Sequence, residues 1–88
     1  MDGKRNDIEI SAEILKVAMN GARKSHIVYK ANLNFKIIRK YLNNLEKSGL
    51  ITSSPDKNKI FSTTKKGREY LDHFEAFEDF TKNPEVFS

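Results

Sequence analysis

The sequence predicts an α+β chain that is mostly helical and carries one short β-hairpin. Four stretches place apolar residues at helical spacing, and turn residues separate them at Asn20-Gly21, Asn32 to Asn34, Gly49, Ser53 to Asp56 and Asn83-Pro84. A single pair of β-prone runs lies between the third and fourth stretches. The 88 residues, 38% hydrophobic and 32% charged, suffice for one domain with a thin core.

The first stretch runs from about Asp7 to Met19. At 100° per residue, Ile10, Ile14, Leu15, Val17 and Ala18 gather on one side and Glu9, Glu13, Lys16 and Asn20 on another. Asn6 or Asp7 can cap its start, and Asn20-Gly21 stops it. The second runs from Arg23 to Ala31, with Ser25 as a cap and Ile27, Val28 and Ala31 as its apolar face. Tyr29 fits either core or surface. Asn34 then caps the third stretch, Phe35 to Ser48, which Gly49 ends. Phe35, Ile38, Tyr41, Leu42 and Leu45 form its apolar side. Lys36, Arg39, Lys40, Asn43 and Lys47 share an opposite arc of about 100°. Leu50 to Ser53 and Lys59 to Thr63 read as paired strands, joined by turn chemistry at Ser54-Pro55-Asp56-Lys57-Asn58. Thr63 or Thr64 caps the last helix, from Lys65 to about Phe80, with Gly67, Tyr70, Leu71, Phe74 and Phe77 on one stripe. The expected division is a flexible terminus at 1–6, a domain at 7–64, a C-terminal helix at 65–81 and a frayed tail at 82–88, where Val86 and Phe87 can dock.

Several function classes drop out. With no cysteine there is no disulfide, thiolate metal site or cysteine nucleophile. No apolar run is long enough to span a membrane, and no apolar signal stretch follows Met1. His26 and His73 have no partner at metal-ligand spacing, and no phosphate loop, nucleophile elbow or zinc motif is present. The expectation is a cytoplasmic protein that is not an enzyme and uses no metal or cofactor.

The charge pattern is informative. The net charge of +4 resolves into −1 over residues 1–19, +10 over 20–68 and −5 over 69–88. A strongly basic block is an electrostatic footprint for a polyanion. The order helix, helix, helix, hairpin, helix, with the short link Asn32-Leu33-Asn34, is that of a helix-turn-helix followed by a β-wing. An α-helix fits the major groove of double-stranded DNA, where arginine addresses guanine and asparagine pairs with adenine. Arg39 and Asn43 are thus candidates for base edges, and Lys36, Lys40 and Lys47 for phosphates. Lys57 and Lys59 on the wing reach a neighbouring backbone or minor groove, and Arg23, Lys24 and Ser25 hold a phosphate at the start of the second helix. From Gly67, Phe74, Phe77 and Phe80 rotate progressively off the face of Tyr70 and Leu71, which marks them as a dimer seam, with Phe74 also expected to pack on the first helix and a wrap of the stripe onto the same core as the alternative. The acidic residues of that helix keep it off DNA.

The run from Gly21 through Phe35, Tyr41-Leu42-Asn43-Asn44-Leu45, Gly49-Leu50-Ile51 and Phe61 through Gly67 resembles the small archaeal winged helix-turn-helix regulators over about residues 5–75. The resemblance implies a DNA-binding domain, often dimeric through its last helix, acting as a transcription regulator or nucleoid protein. Relatives with a long C-terminal coiled coil differ, because the last helix here is shorter and aromatic. A dimeric regulator reading half-sites is the leading expectation. A nucleoid coating protein and a winged helix used as a protein-interaction module are the alternatives.

Overall fold

The computed structural model describes residues 6–82, with side-chain surroundings through Phe77. The elements are α1 (Asp7–Val17), α2 (Lys24–Ala31), α3 (Phe35–Lys47), β1 (Ile51–Ser53), β2 (Phe61–Thr63) and α4 (Lys65–Lys82). The predicted α+β order is present, and the architecture is a winged helix. Residues 1–5 and 83–88, with the expected docking of Val86 and Phe87, lie outside the described residues.

Local chemistry sets most boundaries. Asn6 caps α1 in a reciprocal box: its side chain accepts from the Glu9 amide at 2.8 Å, and Glu9 accepts from the Asn6 amide at 3.0 Å. The helix ends at Val17, two residues before the expected Met19, because Ala18 to Asn20 turn and Gly21 stands at φ +89°. Gly21 needs that left-handed conformation to send Ala22 into an antiparallel bridge with Phe61, with N–H···O distances of 2.9 and 2.8 Å. This third short strand position was not expected from sequence. It holds the chain extended through Arg23, at ψ 157°, so α2 begins at Lys24. Ser25 therefore lies inside the helix and does not cap it; Arg23 occupies the cap position without a side-chain hydrogen bond.

The turn between α2 and α3 bends at Asn32, which takes the left-handed conformation at φ 56° that asparagine tolerates. Asn34 then caps α3 as expected, accepting from the Ile37 amide at 2.8 Å. Gly49 closes the helix at φ +77°. The strands are shorter than expected, pairing Ile51 with Thr63, Thr52 with Ser62 and Ser53 with Phe61. The wing loop from Ser54 to Ile60 is closed by the Ser54 amide on the Ile60 carbonyl at 2.9 Å and by the Ile60 amide on Ser54 Oγ at 2.8 Å. Thr64 is the cap of α4, accepting from the Gly67 amide at 3.1 Å. That helix extends to Lys82, where Asn83-Pro84 supplies the next stop in the sequence.

The core is built from Ala12, Ile14, Leu15 and Ala18 of α1 with its following turn, Ala22, Ile27 and Ala31, Ile38, Leu42 and Leu45, Ile51, Phe61 and Leu71. Phe35 was expected on the core side of α3 but is 55% exposed. As the first residue of the helix it precedes the point where α3 meets its neighbours, and Leu33 packs against the core instead. Tyr29 resolves to the surface, at 80% exposed. The helix α4 crosses α1 so that the Tyr70 hydroxyl donates to the Ile8 carbonyl at 3.2 Å, and the Lys16 ammonium sits 5.8 Å from the Phe74 ring centre. Burial pushes the Tyr70 phenol above its ordinary pKa, partly offset by a hydrogen bond with Ser11.

Two substitutions test this packing. A Cβ at Gly67 would meet the Leu50 carbonyl oxygen at 2.2 Å and Thr63 Cγ2 at 2.6 Å. Gly67→Ala is expected to destabilise by about 1–3 kcal/mol despite alanine's better helix propensity, because backbone must move. Thr63 is buried, and its hydroxyl donates to the Leu15 carbonyl at 2.7 Å. Thr63→Val keeps the shape but orphans that bond, with an expected loss of about 1–2 kcal/mol. Urea unfolding followed by circular dichroism measures both, and unchanged midpoints would refute the packing described.

Candidate nucleic-acid interface

The basic residues fall on one side of the molecule for a reason visible in α3. Its inward row Ile38, Leu42 and Leu45 is buried, which turns the opposite arc outward. Lys36, Arg39, Lys40, Asn43 and Lys47 are all exposed. Among the described residues, no salt bridge engages the four cations of this arc. Among the described residues, nothing neutralises their charge by an ion pair.

Three elements converge beside this arc. Lys24 from the start of α2, Arg39, Leu42, Asn43 and Glu46 from α3, and Lys59 and Phe61 from the returning arm of the wing line an open cleft of about 320 Å³. Four of the residues singled out from sequence, Lys24, Arg39, Asn43 and Lys59, thus meet although they are far apart in the chain. Lys36, Lys40 and Lys47 lie outside the cleft along α3, and Arg23 and Ser25 are exposed beside its α2 wall. Lys57 is exposed in the wing loop, away from the cleft lining.

The cleft contains two groups that sequence reasoning missed. Glu46 is half-buried and accepts a hydrogen bond from Ser53 Oγ at 2.8 Å, which ties α3 to β1. Its spacing from Asn43, three residues on, could have placed it on the cleft side. Phe61 forms an apolar wall, with the Lys59 ammonium 5.7 Å from its ring centre. That contact holds the lysine over the cleft rather than leaving it free in solvent. Nothing local in the sequence marks it, because it depends on the turn at Lys59, whose φ is +25°.

At the start of α2, the Arg23 cap position makes no side-chain hydrogen bond, so its first amides are not covered by a cap. The arrangement can hold a phosphate backbone at α2, present a helix to a groove and reach a second backbone with the wing. Among the described residues no cluster of histidine, cysteine or carboxylate groups could hold a metal, and no helix is long and apolar enough to cross a membrane.

The expected dimer residues separate. Phe74 is half-buried against the core under Lys16, whereas Phe77 is 66% exposed and does not wrap onto that core. Phe80 lies in α4, with its side chain outside the described residues.

The comparisons agree with this geometry. An uncharacterized protein of Methanocaldococcus jannaschii is 32% identical over 83 residues, which cover 92% of this chain and 82% of the relative. The solved structure of Sso10a-2, a DNA-binding protein from Sulfolobus solfataricus, superposes with a TM-score of 0.82 at 28% identity, covering 90% of this chain and 84% of that one. A transcriptional regulator of the MarR family from Rhodococcus sp. RHA1 (TM-score 0.73, 24% identity, 90% of this chain and 59% of that one) shares the fold. So does Lactococcus lactis ZitR in complex with DNA (TM-score 0.62, 18% identity, 100% and 66%). These structural neighbours are DNA-binding or transcription-regulating proteins, and none is an enzyme. The family's own sequence pattern matches residues 4–82, and with the fold, the basic cleft and the archaeal relatives in agreement, this chain belongs to the winged helix-turn-helix family.

Proposed function

We propose that the protein is a dimeric transcription regulator that reads the major groove of duplex DNA with α3 and touches the backbone with α2 and the wing. The observation that carries this reading is the convergence of Lys24, Arg39, Asn43 and Lys59 on one cleft beside Lys36, Lys40 and Lys47, which make no salt bridge among the described residues. Arg39 and Asn43 take base edges, and the lysines take phosphates. Arg23 and Ser25 flank the phosphate at the start of α2, and Lys57 and Lys59 follow the neighbouring backbone. Residues 7–64 form the reading unit, and α4 with Phe77 and Phe80 forms the dimer seam. DNA binding of this kind goes with a cytoplasmic, nucleoid-associated location.

Fluorescence anisotropy on duplex DNA across a salt series tests the reading. Each phosphate contact contributes a slope of about −0.9 in log K against log salt. Lys36→Ala, Arg39→Ala and Lys40→Ala combined should weaken binding by at least tenfold and make the slope less negative by about 2 to 3. An unchanged slope would remove α3 from the interface. A random-sequence competitor separates a regulator from a coating protein, since a specific site is typically bound more than about 10³-fold more tightly than random DNA. Absence of binding at low salt would favour the protein-interaction module.

The dimer has its own test. Phe77 is exposed in the single chain, so Phe77→Glu should leave the fold intact. Sedimentation equilibrium is expected to show wild type as a dimer and the variant as a monomer, and an unchanged mass would place the seam elsewhere.

A further inference from the structure

The exposed Phe35 is the one large apolar side chain on the row of α3 that carries Arg39 and Asn43. Those three residues are spaced four apart, so they form a single ridge along the helix surface. At a rise of about 1.5 Å per residue the ridge spans about 12 Å, close to the width of the major groove. Phe35 stands at its N-terminal end, and helix-turn-helix proteins reach base edges with the N-terminal residues of this helix.

Its place at the helix start leaves Phe35 outside the core, and the core does not need it. Leu33, just before the cap, packs against the core, and Ile38, Leu42 and Leu45 supply the buried row. The Asn34 side chain pins the first turn through the Ile37 amide, so Phe35 is presented from a fixed backbone. Its neighbours on the surface are the cations Lys36 and Arg39, which suit a polyanionic partner.

A phenyl ring offers no hydrogen bond to a phosphate or to a polar base edge. The apolar group that the major groove displays is the C5-methyl of thymine. We infer that Phe35 reads thymine methyl groups beside the bases addressed by Arg39 and Asn43, which makes it a specificity-determining residue. The inference rests on the proposed DNA reading and adds the base class at one end of the site: thymine, distinguished from its demethylated equivalent.

The test uses an A·T-rich duplex of about 20 base pairs, two helical turns, made once with thymine and once with deoxyuridine in its place. Anisotropy titrations compare wild type, Phe35→Ala and Phe35→Leu, each checked for helix content by circular dichroism. Wild type is expected to bind the thymine duplex about fourfold more tightly for one buried methyl. Phe35→Ala should bind both duplexes equally, and Phe35→Leu should keep part of the preference. Equal binding of both duplexes by wild type, or an undiminished preference in Phe35→Ala, would overturn the inference while leaving the DNA reading in place. Binding of neither duplex by folded wild type at low salt would overturn both.

Discussion

The structure depends on one four-residue segment, Phe61 to Thr64, whose backbone and side chains tie together α1, β1, α4 and the links that follow α1 and α3. Phe61 pairs with Ser53 on one side and with Ala22 on the other, so it is central rather than an edge. The Thr63 amide and hydroxyl reach the carbonyls of Ala18 and Leu15, closing two groups at the end of α1 that a helix leaves without partners. Thr64 donates its hydroxyl to the Gly49 carbonyl at 2.6 Å, its amide bonds the Leu50 carbonyl at 3.0 Å, and it caps α4. In a chain this small, where burial alone leaves little margin, such a segment supplies order that a larger core would otherwise provide.

That segment also sets the interface. Phe61 forms a wall of the basic cleft, and its bridge to Ala22 fixes where α2 begins. The same strand therefore holds Lys24 and Lys59 across from Arg39 and Asn43. The cleft is a consequence of sheet pairing as much as of the helix-turn-helix. Within that turn, the left-handed Asn32 sets the direction in which α3 leaves α2, and the Asn34 cap fixes its first turn. A helix anchored at both ends presents its outer arc from a backbone that is already ordered.

The charge segregation follows the architecture. The basic block spans α2, α3 and the wing, while the acidic excess lies in α4 and beyond. The contact between Lys16 and Glu75 is long, at 4.0 Å, and exposed, so it contributes little to stability. An acidic surface of this kind repels a polyanion at long range, whereas the basic block attracts one.

The sequence by itself determined the helices, the cap at Asn34, the choice of Asn6 or Asp7 for α1, the hairpin, the outward cationic arc and the absence of disulfide chemistry. Those features are local: they follow from the 3.6-residue period, from side chains that satisfy nearby amides, and from turn residues. Tertiary structure decided what depends on partners distant in the chain. Ala22 became a strand position because Phe61, 39 residues later, accepts and donates its backbone bonds. The start of α2 at Lys24, one residue ahead of Ser25, follows from the same pairing. Phe35 sat on the apolar arc by angle, yet whether it is buried depends on what stands opposite the first turn of α3, and it is left exposed. The convergence of Lys24 and Lys59 on Arg39 was equally invisible, because residue spacing records periodicity along one element and not the pairing that brings separate elements together.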